Sequence, residues 1–177
     1  MTRLRMVFPW LFASVSLWCA ACTPALNWRE VQPEGSDVFA MFPCKPERYA
    51  RKLPLAGEAV EMRMSSCVVD GVTYALAYAS VSEPGRVDAA LVELRNAAAR
   101  NLGGATQETG NATVPGMTPN ERARRVSVAG SGARGEPLQE QAVFFAKGLR
   151  VFQASVVGPK VSSEAADTFI AGLRFAS

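Results

Sequence analysis

From Asp37 onward, apolar and polar positions alternate with a period of two through most of the chain, which predicts β-strands whose side chains point to opposite faces. Residues 37–42 (Asp-Val-Phe-Ala-Met-Phe) form the first predicted strand, stopped by Pro43 and Pro46. Residues 47–57 predict a more polar edge strand ending at Gly57. Residues 58–69 and 72–81 predict a hairpin about Asp70-Gly71, a pair that accepts the positive φ values of a tight turn. Alternation puts Val60, Met62 and Met64 on one face, with Glu61 and Arg63 on the other, as in a sheet with one wetter side. Val72, Tyr74, Leu76 and Tyr78 share a face of the next strand. The methionine stripe reads as core packing rather than as a metal or cofactor box. Three more strands are predicted at 122–129, 138–146 and 149–157, the last two turning at Lys147-Gly148.

The period changes twice. In residues 86–102, Val87, Leu91, Leu94, Ala98 and Leu102 make one apolar stripe at helical spacing, entered through Pro84-Gly85 and stopped by Gly103-Gly104. Arg95 and Arg100 lie on its polar side, toward the C-terminal half, where they complement the helix dipole. Ser162-Ser163 cap a final helix whose Ala166, Phe169, Ile170 and Leu173 share a face. Between the first helix and the later strands, residues 103–121 predict a long polar loop with room for a short strand, turning at Pro115-Gly116 and Pro119-Asn120. The expected fold class is α+β: one domain over residues 37–177, an antiparallel sheet of about six or seven strands covered by two helices. In element order it resembles the PsbP-like fold of exported photosystem subunits and related bacterial proteins. The strand end Phe39-Ala-Met-Phe-Pro43 and the strand carrying Tyr74 and Tyr78 are similar in style to that group. The resemblance is topological and carries no binding residue over.

Ahead of this domain the pattern is of another kind. Met1-Thr-Arg-Leu-Arg5 is followed by an apolar run at 6–18 and then by Cys19-Ala20-Ala21-Cys22. A basic start, an apolar core and a small-residue exit predict a secretory signal peptide over residues 1–21. Ala20-Ala21-Cys22 resembles the lipobox of bacterial lipoproteins, although Cys19 stands where leucine is most usual. The resemblance implies that Cys22 is acylated, with palmitate-type chains, and becomes the first residue of the mature protein. The alternatives are a soluble secreted protein and a retained single-span anchor; the anchor is disfavoured because the run is short for a ~30 Å hydrocarbon core and contains Pro9. By resemblance to lipoprotein sorting, Thr23 in place of an aspartate implies the outer membrane, facing the periplasm. Residues 22–36 then predict a short tether, with Trp28 pinning it to the domain.

Removing residues 1–21 from the 177 leaves 156, enough for one domain with a substantial core. Arg3 and Arg5 leave with the signal, so 17 of the 19 basic residues remain against 16 acidic ones, a net of +1. That balance gives no electrostatic reason to expect nucleic acid. Of the four cysteines, Cys19 is discarded and Cys22 is committed to lipid, leaving Cys44 and Cys67 to pair in an oxidising compartment or to stay as two separately buried thiols. Histidine is absent, which removes the commonest general base and metal ligand.

Catalytic motifs fail on their physics. Gly130-Ser131-Gly132-Ala133-Arg134-Gly135 has the spacing of a dinucleotide fingerprint, but that motif needs a helix N-terminus to receive the pyrophosphate, and Pro137 with another strand follows instead. Ser131 lacks both the nucleophile-elbow spacing and a histidine partner. The carboxylates are scattered, with no acid and base pair to name. The expectation is a non-enzymatic envelope lipoprotein, without cofactor or metal, attached to the membrane by its lipid and binding a protein partner or assisting envelope assembly. The alternative is a periplasmic small-molecule carrier or sensor with a pocket between sheet and helices. For a protein partner, the candidate residues are Met117, in the loop 114–121, and the adjoining Arg122, Arg124 and Arg125. Against this stands a solvated connector whose arginines pair locally with Glu121 or Glu136.

Overall fold

A computed structural model describes residues 26–176. The expected signal peptide, residues 1–21, and the expected lipidation site Cys22 therefore lie outside the described residues. The strands are β1 (Arg29–Val31), β2 (Val38–Phe42), β3 (Glu47–Leu55), β4 (Glu58–Val69), β5 (Val72–Ser80), β6 (Ala105–Asn111), β7 (Arg124–Ser131), β8 (Pro137–Lys147), β9 (Arg150–Gly158) and β10 (Arg174–Phe175). The helices are α1 (Val87–Leu102), entered through a 3-10 turn at Pro84–Arg86, and α2 (Ser163–Ala171).

Seven strands form one antiparallel sheet in the order β3-β4-β5-β9-β8-β7-β6, and β1-β2-β10 form a small second sheet. Two meanders make the large sheet. The first runs β3 to β5; α1 then carries the chain to the far edge, and β6 to β9 return until β9 pairs with β5, Leu76 opposite Ala154.

Each face of the large sheet has its own core. On one face Tyr74, Leu76, Phe145 and Phe152 pack under α2 (Ala166, Phe169, Ile170) and β2 (Val38, Ala40, Phe42). On the other face Val126, Val128, Phe144 and Val151 pack under α1 (Ala90, Leu91, Leu94, Ala98, Leu102). Strands β8 and β9 are buried on both sides, with Phe144 in one core and Phe145 in the other, so the stretch Ala142-Val-Phe-Phe-Ala146 reads as an unbroken apolar run. Each fully buried phenylalanine contributes roughly 1.5–3 kcal/mol. Phe145 and Phe152 also stack with centroids 4.9 Å apart. The wetter side expected from Glu61 and Arg63 is local: both are exposed, yet farther along the same face of β4 Ser65 and Cys67 are buried.

Local signals position the ends of the elements. Gly103 takes the left-handed C-cap of α1 at φ 61°. Ser162 caps α2, its side chain accepting from Ala165 N at 3.4 Å. Asp70 and Gly71, both at positive φ, form the β4–β5 turn. Cys44 and Cys67 form a disulfide with Cα atoms 6.0 Å apart, tying the exit of β2 to β4.

Two strands depart from expectation, and a third lies where the expected loop left room for a short one. Arg29–Val31, within the stretch expected as a tether, pairs with β2 (Glu30 opposite Met41), and Trp28 meets the Tyr74 ring edge-on at 5.9 Å. Ala105–Asn111, within the expected polar loop, is the edge strand β6; it is almost wholly exposed, so no apolar alternation marks it. Arg174–Phe175 adds a two-residue strand to β2.

Candidate functional site

Helix α1 is pinned at both ends, and the pins set it obliquely across the sheet. Near its start, Arg86 Nη1 donates to Ala56 O at 2.6 Å and Glu93 accepts from Ala56 N at 2.7 Å, which ties the helix to the β3–β4 turn. At its end the chain turns at Gly103-Gly104 against β7. A Cβ on Gly104 would stand 2.1 Å from Ala129 O, and one on Gly130 would stand 2.0 Å from Leu102 O. The helix packs along β6, β7, β8 and β9 and touches β3, leaving much of β4 and β5 uncovered on that face.

The wedge between α1 and this half of the sheet is a cleft of about 750 Å³. Its floor is Met62 and Met64 of β4, Ala75 and Ala77 of β5, and Gln153 and Ser155 of β9. Tyr49, Arg51 and Leu53 of β3 make one wall, and Leu94, Ala97, Arg100 and Asn101 of α1 make the other. Small side chains at Ala75, Ala77 and Ser155 keep the space open where the helix lifts away. The Tyr49 ring is half exposed at the rim, its hydroxyl donating to Glu47. Beyond the floor, on the same face of β4, Val68 is 63 % exposed.

The polar groups of the cleft divide by position. Gln153 Nε2 donates to Glu140 Oε1 at 3.2 Å, beneath α1. Glu140 is buried, and that desolvation raises its pKa above the usual carboxylate range, while the Gln153 hydrogen bond acts the other way. Arg51 and Arg100, from opposite walls, form no ion pair among the described residues.

The residues expected to bind a protein partner are differently placed. Met117 is half-buried against the α2-side core, its Sδ accepting from Val114 N at 3.3 Å. Arg124 Nε lies 3.3 Å from Glu108 Oε2, and the same carboxylate meets Arg95 at 2.7 Å. Arg125 points to the other face of β7, donating to Gln141 at 3.2 Å and pairing with Asp167. Arg122 is exposed, its backbone N–H donating to Asn120 Oδ1. Met117 and Arg124 line one hollow of about 720 Å³ with Val114, Pro119 and Ala123; Arg125 and Arg122 are not part of it. Local pairing of the arginines does occur, with Glu108 and Asp167 rather than with Glu121 or Glu136. The loop itself is fastened down: Thr118 N donates to Ala146 O at 2.8 Å, Gly148 N to Thr118 Oγ1 at 2.9 Å, and Phe175 N to Pro115 O at 3.0 Å.

The cleft residues carried little sequence signal. Met64 belongs to the methionine stripe read as core, and Arg51 and Arg100 look like ordinary solvated charges. The available clue was steric: the face of β5 opposite Tyr74 and Leu76 carries only small side chains, Thr73, Ala75, Ala77 and Ala79. The glycine-rich run 130–135 ends β7 and forms the turn into β8, with Gly132 N donating to Glu136 O at 2.8 Å. Among the described residues no group of three or more Asp, Glu or Cys side chains is placed to hold a metal ion. The chain matches no known protein-family model, and no curated protein sequence matches it significantly.

Proposed function

We propose that the chain is a bacterial envelope lipoprotein, acylated at Cys22 and held at the periplasmic side of the outer membrane, whose domain binds a small molecule without transforming it. The observation that carries the binding role is the cleft between α1 and strands β3, β4, β5 and β9, at about 750 Å³ within the ~300–1,000 Å³ typical of small-molecule sites. An apolar floor with a few convergent polar groups is the lining such sites use. A binding role is supported over acid–base catalysis by the absence of histidine from the chain and by Glu93, the one carboxylate of the lining, already accepting from Ala56 N. The same proposal takes the domain as PsbP-like, supported by its element order alone.

Native mass spectrometry of the protein isolated from membranes tests the reading. A bound molecule is expected in the wild type and lost in Ala77→Phe, which fills the cleft from its floor. A protein that carries the same adducts with and without the bulky side chain overturns it.

A protein-partner role is the second reading, favoured by the hollow that Met117 and Arg124 share. Crosslinking in membranes, with Met117→Ala and Arg124→Glu combined, is expected to lose a partner if this hollow is used; unchanged crosslinks remove the reading.

A further inference from the structure

We infer that the cleft takes an anionic phospholipid drawn from the membrane to which the domain is tethered, with acyl chain on the floor and phosphate between Arg51 and Arg100. The inference rests on the cleft as the binding site and on acylation of Cys22.

The chemistry of the cleft is graded along its length. Leu53, Met62, Met64 and Ala77 offer an apolar surface with flexible thioethers that adapt to a chain without fixed shape. Glu93 stands by the β3–β4 turn, occupied by Ala56 N. Arg100 follows two helical turns later, about 10 Å farther along the axis. Arg51 faces it from β3, and neither guanidinium has an acidic partner among the described residues. Two arginines reaching from opposite walls suit a phosphate, which accepts charge-assisted hydrogen bonds from both. Glu47, the acid nearest on β3, lies beyond Tyr49 and is engaged by its hydroxyl.

The position of the tether points to the source. Beyond the floor, β4 continues on the same face from Met64 to the exposed Val68 and the Asp70-Gly71 turn. The chain begins its described course at this same end: Leu26 and Trp28 border a hollow with Val69, Val72 and Tyr74 of that hairpin. Cys22 is four residues before Leu26, so an acylated Cys22 holds Leu26, which borders this hairpin, within about 14 Å of the bilayer surface. That hollow, with Ala165 and Thr168, is on the α2 side of the sheet and the cleft is on the α1 side, so the tether keeps the hairpin end that the two sides share near the lipid. Anionic headgroups attract basic side chains at such a surface.

The test uses full-length acylated protein in phosphatidylcholine vesicles containing phosphatidylglycerol with a photoreactive group at its acyl end. Crosslinks are mapped by mass spectrometry. Labelling is expected at Leu53, Met62 or Met64, falling about tenfold or more in Arg51→Glu/Arg100→Glu and recovering in Arg51→Lys/Arg100→Lys. Thermal unfolding of each variant checks that the domain is intact. Labelled phosphatidylcholine is expected to give several-fold less cleft labelling. Equal labelling by the two lipids, or labelling confined to Val68 and its surroundings, overturns the inference. If the cleft is unlabelled while membrane-isolated protein carries another molecule that Ala77→Phe loses, the inference falls and the small-molecule function stands. If neither is found, both fall.

Discussion

Gly130 lies directly against Leu102: a methyl group on Gly130 would approach the Leu102 carbonyl oxygen to 2.0 Å and its carbon to 2.8 Å. These are backbone atoms at the close of α1, so neither side has a flexible group that can yield. Gly130→Ala should destabilise the domain by about 1–3 kcal/mol through overpacking. That corresponds to roughly 2–4 °C in Tm per kcal/mol for a chain of this size. Gly85→Ala is the control, since a Cβ there meets nothing within 4 Å. Chemical denaturation of the two variants checks the prediction, which fails if they unfold at the same midpoint.

The disulfide joins Cys44 to Cys67, 23 residues apart, and so closes a loop in the unfolded chain. Replacing both cysteines by serine should cost roughly 3 kcal/mol in the chain-entropy treatment. Alkylation of the non-reduced, folded protein should modify neither of these thiols. Two alkylated sites in that experiment would contradict the bond.

Glu140 makes stability depend on pH in the direction opposite to an ion-paired carboxylate. Its folded-state pKa is raised, by burial first, so the unfolded state loses its proton more readily. Stability from this group is therefore fully present below the unfolded value near ~4.3 and is lost as pH rises through the folded pKa. Glu140→Gln keeps an oxygen for Gln153 and removes the charge. It should match wild type in acid and exceed it in stability at neutral and higher pH. Parallel denaturation curves with a constant offset across that range would rule the account out.

The anchoring proposal has its own readout. Cys22→Ser should release the protein from membranes or leave residues 1–21 uncleaved, because several acyl chains at ~0.8 kcal/mol per buried CH₂ are needed for stable attachment. Membrane-bound mature protein in that variant is the outcome that defeats it.

Much of the fold was legible because it depends on neighbours in sequence. The alternation of Val72, Tyr74, Leu76 and Tyr78, the turn at Asp70-Gly71, the stop at Gly103 and the cap at Ser162 each follow from local sterics and burial, and each stands where it was expected. Strands β1 and β10 were not legible, and β6 only as room for a short strand within a loop, because a strand exposed along its length or only a few residues long has no burial pattern to display. Tertiary structure alone decided that β9 pairs with β5, which brings two meanders into one sheet, and that the helices take opposite faces. It also decided the cleft. Ala75, Ala77 and Ser155 are unremarkable small residues until α1, pinned to Ala56 at one end and to the backbone beside Gly130 at the other, crosses the sheet obliquely and leaves them uncovered. Spacing along the chain encodes which face a side chain takes, whereas the angle between two packed elements depends on contacts between residues far apart in sequence.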